Sequence, residues 1–186
     1  MNREVRLPRP GRGQLRRRLQ EMLRVDHAGE MAAVQIYRGQ KDVFRAAGRA
    51  EIAEDMARME GEEQVHLDRF NALLTEHETR PTLMTPIWRV AAYGLGVGTA
   101  LLGETAAHAC TEAVETVIAE HYANQADEWE GRDEALSAEF RQFREEELGH
   151  HDHAVEQGSH EAPGYEVLTA VIKAGCRVAI KVSEKV

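Results

Sequence analysis

Two copies of the pattern Glu-x-x-His, Glu63-Gln-Val-His66 and Glu147-Leu-Gly-His150, stand 84 residues apart in a chain of 186. On a helix this spacing puts a carboxylate and an imidazole one turn apart on one face, where both reach the same point. A single pair means little, because a chain this rich in glutamate produces one by chance. Here the surroundings repeat as well: Glu30 lies in HAGEMAAV, 33 residues before Glu63, and Glu115 lies in CTEAVETVIA, 32 residues before Glu147. Both stretches are mainly small or apolar. The chain therefore reads as two helix pairs, each supplying a Glu and then a Glu-x-x-His. Four-helix bundles project this set of four carboxylates and two imidazoles inward to hold two metal ions.

The apolar spacing agrees with such a bundle. Leu15, Leu19, Met22, Leu23, Val34, Tyr37 and Phe44 predict a helix from about Gln14 to Gly48, and Ile52, Met56, Met59, Leu67, Phe70 and Leu74 predict a second from Ala50 until Pro81. Residues 82–103 carry Arg89 as their only charge. A third long element is expected over Glu104 to Trp129, a fourth over Arg132 to Gln157, and a last short helix after Pro163-Gly164, ending near Ser183. No run alternates at period two, so the class is all-α. The 52 residues from Glu63 to Glu115 exceed a hairpin and supply a long crossover. The expectation is a ferritin-like four-helix bundle with a di-iron carboxylate centre, an apolar crossover helix and a short C-terminal helix. Residues 1–13 would be a flexible basic arm, and residues 14–186 a single domain.

With 42% hydrophobic and 30% charged residues, the chain is neither mostly disordered nor an integral bundle of several membrane spans. Its net charge of −9 is unevenly spread: eight Arg against two Glu in residues 1–24, but 16 acids against three Arg in residues 104–161. The N-terminal arginines suit a solvated arm better than a nucleic-acid contact, so no nucleic-acid partner is expected. Cys110 and Cys176 form no CxxC, which argues against a disulfide framework or a thiolate metal site and fits a reducing compartment. No apolar h-region marks an export signal.

Oxygen and imidazole donors without thiolate favour iron or manganese. We expect Glu63 and Glu147 as bridging carboxylates, Glu30 and Glu115 as terminal ligands, and His66 and His150 as one imidazole per metal. Asp26, four residues before Glu30, is a candidate for orienting a ligating histidine, since such rings donate their other N–H to a carboxylate. Tyr37 reads as a core tyrosine, and His151 and His153 as polar surface.

The strings RVDHAGEMAAVQIYRGQ at 24–40, HLDRFN at 66–71, RPTLMTPIWRVAAYGLGVGTALLG at 80–103, EHYANQ at 120–125, EEELGHHD at 145–152 and AGCRVAI at 174–180 resemble the demethoxyubiquinone hydroxylase family of ubiquinone biosynthesis. The resemblance covers about residues 15–184. It implies that two iron ions are held by Glu30, Glu63, His66, Glu115, Glu147 and His150, the same six that the spacing selects. It also implies hydroxylation of a polyprenylated methoxy-methyl-benzoquinol by O2, with NADH as electron source and a lipid-binding protein of the same pathway as partner. Tyr122, seven residues after Glu115, and Arg177, a charge in a largely apolar helix, are candidates for meeting the quinol or the nicotinamide.

A prenyl tail requires an apolar surface. Val90 to Gly103 is short of about 30 Å of hydrocarbon as a helix, but counting from Pro81 with Arg89 tolerated makes 23 residues, which leaves open both entry of residues 82–103 into the bilayer and their burial as a crossover helix. The last helix carries Lys173, Arg177 and Lys181 on one stripe and Leu168, Val171, Ile172, Gly175 and Ala179 on another, which suits an anionic membrane surface. The expectation is a peripheral membrane protein, on the cytoplasmic face of a bacterial inner membrane or the matrix face in a mitochondrion, with a homo-oligomer open. Gly94, Gly96 and Gly98 do not make a GxGxxG and read instead as sites of close helix approach. The alternative is a ferritin-like iron-storage or ferroxidase protein, which uses the same bundle and ligands.

Overall fold

The computed structural model describes residues 12–186, so most of the expected basic arm lies outside the described residues. Six α-helices follow in order: α1 (Arg12–Ala46), α2 (Ala50–Glu76), α3 (Thr85–Leu102), α4 (Glu104–Trp129), α5 (Glu134–Glu156) and α6 (Tyr165–Ser183), with a short 3-10 turn at Ser159–Glu161 before α6. Among the described residues there is no strand. The all-α expectation holds, and α4 matches its expected bounds.

Two boundaries differ from the sequence reading, each for a local reason. Helix α2 stops at Glu76, well short of Pro81, because Glu78 takes a left-handed φ of 50° and its amide closes a turn on Thr75. Helix α5 starts at Glu134 because Asp133 is extended and its side chain accepts the Leu136 amide, serving as the N-cap in place of a first helical turn.

Helix α1 pairs with α2 and α4 with α5, and the two pairs form the bundle. Helices α3 and α6 cover it, α3 along α1 and α6 along α4. Two glycines set the first of these contacts. A Cβ at Gly96 would lie 2.1 Å from the Ile36 carbonyl oxygen, and one at Gly39 would lie 2.6 Å from the Tyr93 oxygen, so only hydrogen at both positions allows the two backbones to touch. Gly94 and Gly98 face open space. Of the three glycines expected to permit close approach, only Gly96 does so.

Two apolar clusters fill the bundle. One holds Leu19, Met22, Leu23, Phe70, Tyr122, Trp129, Phe140 and Phe143, and the other holds Tyr37, Phe44, Ile52, Met56, Met59 and Ala107. Tyr122 belongs to one and Tyr37 to the other, and both hydroxyls point to carboxylates lying between the clusters. Burying four acids in that position costs folding free energy unless positive charge joins them.

Candidate metal centre

The four bundle helices bring all six expected residues together in the dry interior. Glu30, Glu63, Glu115 and Glu147 are at most 1% exposed, while His66 and His150 are 6% and 8% exposed. Their donor atoms form two groups, Glu30–Glu63–His66–Glu147 and Glu63–Glu115–Glu147–His150, each with its atoms within 4.8 Å of one another. Glu63 and Glu147 belong to both groups. Each imidazole turns Nδ1 inward: His66 Nδ1 lies 3.1 Å from Glu147 Oε1 and 3.5 Å from Glu30 Oε2, and His150 Nδ1 lies 2.8 Å from Glu63 Oε1.

These approaches are close but misaligned for hydrogen bonds. Glu30 Oε2, both oxygens of Glu63, Glu115 Oε2, both oxygens of Glu147 and the Nδ1 atoms of His66 and His150 are all buried without a hydrogen-bond partner. Buried polar atoms rarely go unpaired. Eight converging at one place are donors aimed at a common third party, and their O and N chemistry suits hard or borderline divalent ions such as iron.

Electrostatics agree. Burial, reinforced by the charges of Glu147 and Glu63, pushes Glu30 and Glu115 well above the usual carboxylate range. Burial opposes ionisation of Glu63 too, but the imidazoles of His150 and His66 beside it prevail and hold it at about 2. Burial alone would lower both histidines, yet the surrounding carboxylates raise His66 strongly and bring His150 up to about 11. Without metal, the cluster gathers protons where cations belong.

The remaining oxygens are held from outside. Tyr37 Oη donates to Glu115 Oε1 at 2.8 Å, and Tyr122 Oη donates to Glu30 Oε1, leaving Oε2 of each glutamate facing the cluster. Tyr37 is thus a core tyrosine with a second task. The outer Nε2 of His66 meets Glu146 Oε2 at 2.8 Å, and that of His150 meets Glu62 Oε2 at 3.1 Å. Sequence reasoning missed Glu62 and Glu146, although both motifs read Glu-Glu-x-x-His. Asp26 does not take the orienting part expected of it. It is buried and accepts hydrogen bonds from His121 and Gln125 on α4, while Glu62 and Glu146 occupy the places at the two rings. Arg177 is exposed and pairs with Glu120 at 3.3 Å. His151 and His153 are half-buried and pair with Asp152 and Asp55.

A cavity of about 340 Å³ opens beside the cluster, between α1, α3, α4 and α6. Val25, Ala32, Ile36, Leu95, Val117 and Ile172 are among the residues that line it. Gly29 and Val114, the immediate neighbours of Glu30 and Glu115, form part of its wall. Cys176 lines it too, and burial raises its thiol to about 11, leaving it protonated and unreactive near neutral pH.

A helical bundle that buries four carboxylates and two imidazoles between paired helices defines the ferritin-like class of carboxylate metal proteins. Within that class, residues 17–183 match the family described as ubiquinone biosynthesis protein COQ7, and the chain belongs to that family. It is 45% identical over 168 residues (88% of this chain, 76% of the relative) to the human NADPH-dependent 3-demethoxyubiquinone 3-hydroxylase, mitochondrial. It is 46% identical over 169 residues (90% and 78%) to the 3-demethoxyubiquinol 3-hydroxylase of Rhodospirillum rubrum. With the 5-demethoxyubiquinone hydroxylase, mitochondrial, of Saccharomyces cerevisiae it shares 40% over 184 residues (90% and 78%).

Proposed function

We propose that this protein is an O2-dependent monooxygenase that hydroxylates the ring of a polyprenylated demethoxyubiquinol in ubiquinone biosynthesis. The observation that carries the reading is the convergence of eight unpartnered donor atoms, together with an apolar cavity whose wall includes Gly29 and Val114, the chain neighbours of Glu30 and Glu115. Glu63 and Glu147, which belong to both donor groups, would serve both of two iron ions, Glu30 and Glu115 would serve one each, and His66 and His150 one each through Nδ1. Two ferrous ions, when bound, supply the two electrons by which dioxygen gives one oxygen atom to the ring and one to water.

The chain's own residues bind, orient and exclude water. Tyr37 and Tyr122 fix the terminal carboxylates by one oxygen each. The cavity takes the quinol ring against α1 and α4, and its apolar wall keeps bulk water from the cluster. An iron-storage protein needs a polar outlet for ferric ion, and the wall beside this cluster is apolar. A reduced nicotinamide supplies the electrons: NADH is the expectation from sequence, while the name of the human relative specifies NADPH. Neither sequence candidate for meeting quinol or nicotinamide lines this cavity: Tyr122 is buried with its hydroxyl on Glu30, and Arg177 is exposed and paired with Glu120.

No helix among the described residues is long and apolar enough to cross a membrane. A monotopic position on the bilayer is supported by exposed Leu83, Ile87, Val90, Leu101 and Leu102 at α3 and exposed Val167, Val171 and Val178 on α6. That surface faces the cytoplasm in a bacterium or the matrix in a mitochondrion, and a lipid-binding protein of the pathway is the expected partner.

Incubation of the reduced, iron-loaded protein with a short-chain demethoxyquinol under 18O2, followed by mass spectrometry, tests the reading. One labelled oxygen is expected in the ring. Full iron loading with no label incorporated overturns the hydroxylase assignment. Glu115→Gln is expected to lower both the iron-to-protein ratio and turnover.

A further inference from the structure

The doubled chain repeats more than its ligands. Glu30 and Tyr37 recur as Glu115 and Tyr122, 85 residues on, while Glu62, Glu63 and His66 recur as Glu146, Glu147 and His150, 84 residues on. Each pair crosses between copies: Tyr37 on α1 holds Glu115 on α4, Tyr122 on α4 holds Glu30 on α1, Glu146 on α5 holds His66 on α2, and Glu62 on α2 holds His150 on α5. A carboxylate can only accept, so each Nε2 carries a hydrogen, and with metal in place of the cluster's protons each Nδ1 would offer its lone pair to the interior.

The repeat breaks one turn away. Arg58 donates to both oxygens of Glu62, at 3.0 and 2.8 Å, and also to Asp55 at 2.8 Å. The equivalent position 84 residues on is Gln142, a neutral amide that donates to Glu146 Oε1 at 2.9 Å. Glu146 therefore meets His66 with only a neutral amide beside it, whereas Glu62 meets His150 while sharing the Arg58 guanidinium with Asp55. A ring whose outer N–H meets the fuller charge is the more basic ligand.

We propose that Glu62 and Glu146 are positioning residues that lock His150 and His66 with Nδ1 toward the metals, and that the Arg58/Gln142 difference makes the two metal positions inequivalent. The proposal rests on the metal-centre reading above. His66 serves the more tightly held, more electron-rich ion, and His150 the weaker one. The two-fold plan of the helices thus carries an electronic asymmetry that the ligands alone do not show.

Anaerobic titration with 57Fe(II), followed by Mössbauer spectroscopy, separates the possibilities. The unaltered protein is expected to bind two ions in two steps and to show two quadrupole doublets. Glu146→Leu should weaken one step and Glu62→Leu the other, each by about 10–100-fold, with the corresponding Gln variants intermediate because the amide oxygen still accepts the N–H. Arg58→Gln should draw the two doublets together without loss of iron, and Gln142→Arg should do the same from the other side. Two ions bound with unchanged affinity in both Leu variants would overturn the positioning role. Doublets that neither Arg58→Gln nor Gln142→Arg moves would overturn the asymmetry. An unaltered protein that binds no iron would instead overturn the metal reading on which the proposal stands.

Discussion

Burial acts on the histidines of this bundle in two ways, and the outcome turns on whether a carboxylate stands beside the ring. His66 and His150 have such neighbours and are raised. His108, also buried, has an unpartnered Nδ1; burial drives its pKa down to about 4, against a weaker pull from Asp55. The unfolded chain takes up a proton at this residue near its ordinary value of 6.5, while the folded chain does not until about 4. Stability from His108 is therefore complete above pH about 6.5 and is lost as pH falls towards 4, by up to roughly 3 kcal/mol. His108→Phe should flatten the fall in denaturation midpoint across that window relative to the unaltered protein, read by circular dichroism at each pH. At this scale the six cluster residues were legible because spacing alone puts them on inward faces. Glu62 and Glu146 were not, since an acid next to a ligand on a charged helix looks like a solvated face until the opposite helix is in place. The hydroxyl of Tyr37 was hidden by the same limit: periodicity assigns a residue to the core but says nothing of what its polar end touches.

Among the elements, α4 shows what hydrophobic period can and cannot report. It is buried at nearly every position from Ala106 to Glu115, because α5, α6, α3 and α1 all lie against it. Its sequence carries no single apolar stripe, yet its limits were legible from Gly103, which has a φ of 119°, and from the turn after Trp129. The 3-10 turn at Ser159–Glu161 was not legible, since it exists through tertiary contact: Ser159 and Tyr165 both donate to the buried carboxylate of Glu112. Helix α3 depends on a different device, the touching backbones at Gly96 and Gly39. Gly96→Ala must push α3 away from Ile36, and overpacking of this kind costs about 1–3 kcal/mol. Gly98→Ala meets nothing within 4 Å and gains helix propensity, so it should be neutral or stabilising by about 0.5–1 kcal/mol. Thermal denaturation of the two variants checks the contrast: a fall of several degrees for the first and none for the second. Equal shifts would show that the α1–α3 contact is looser than drawn.

For the molecule as a whole, the arrangement of α3 and α6 decides how a long apolar substrate reaches a dry interior. Both helices line the cavity, and both carry exposed apolar residues. Lys173, Arg177 and Lys181 on α6 add positive charge, although the chain carries −9 overall. A net-negative protein is repelled by an anionic bilayer unless it presents a face of opposite sign, and each basic residue near such a surface contributes about 1 kcal/mol of attraction that salt screens within a Debye length. Binding should therefore need both apolar insertion and charge. Val90 and Val178, 73% and 59% exposed and outside the cavity wall, are suitable probes because no packing rests on them. Val90→Glu with Val178→Glu removes two insertions worth about 1.5 kcal/mol each at most and adds two negative charges, so binding to vesicles containing phosphatidylglycerol should weaken at least about tenfold. Iron content and turnover of a short-chain quinol, which needs no bilayer, should stay unchanged, while turnover of a long-chain quinol presented in vesicles should fall with the binding. Raising salt should weaken vesicle binding of the unaltered protein by screening α6, and exchanging anionic lipid for phosphatidylcholine should do the same. If the double variant keeps full binding and full long-chain turnover, substrate enters by another face.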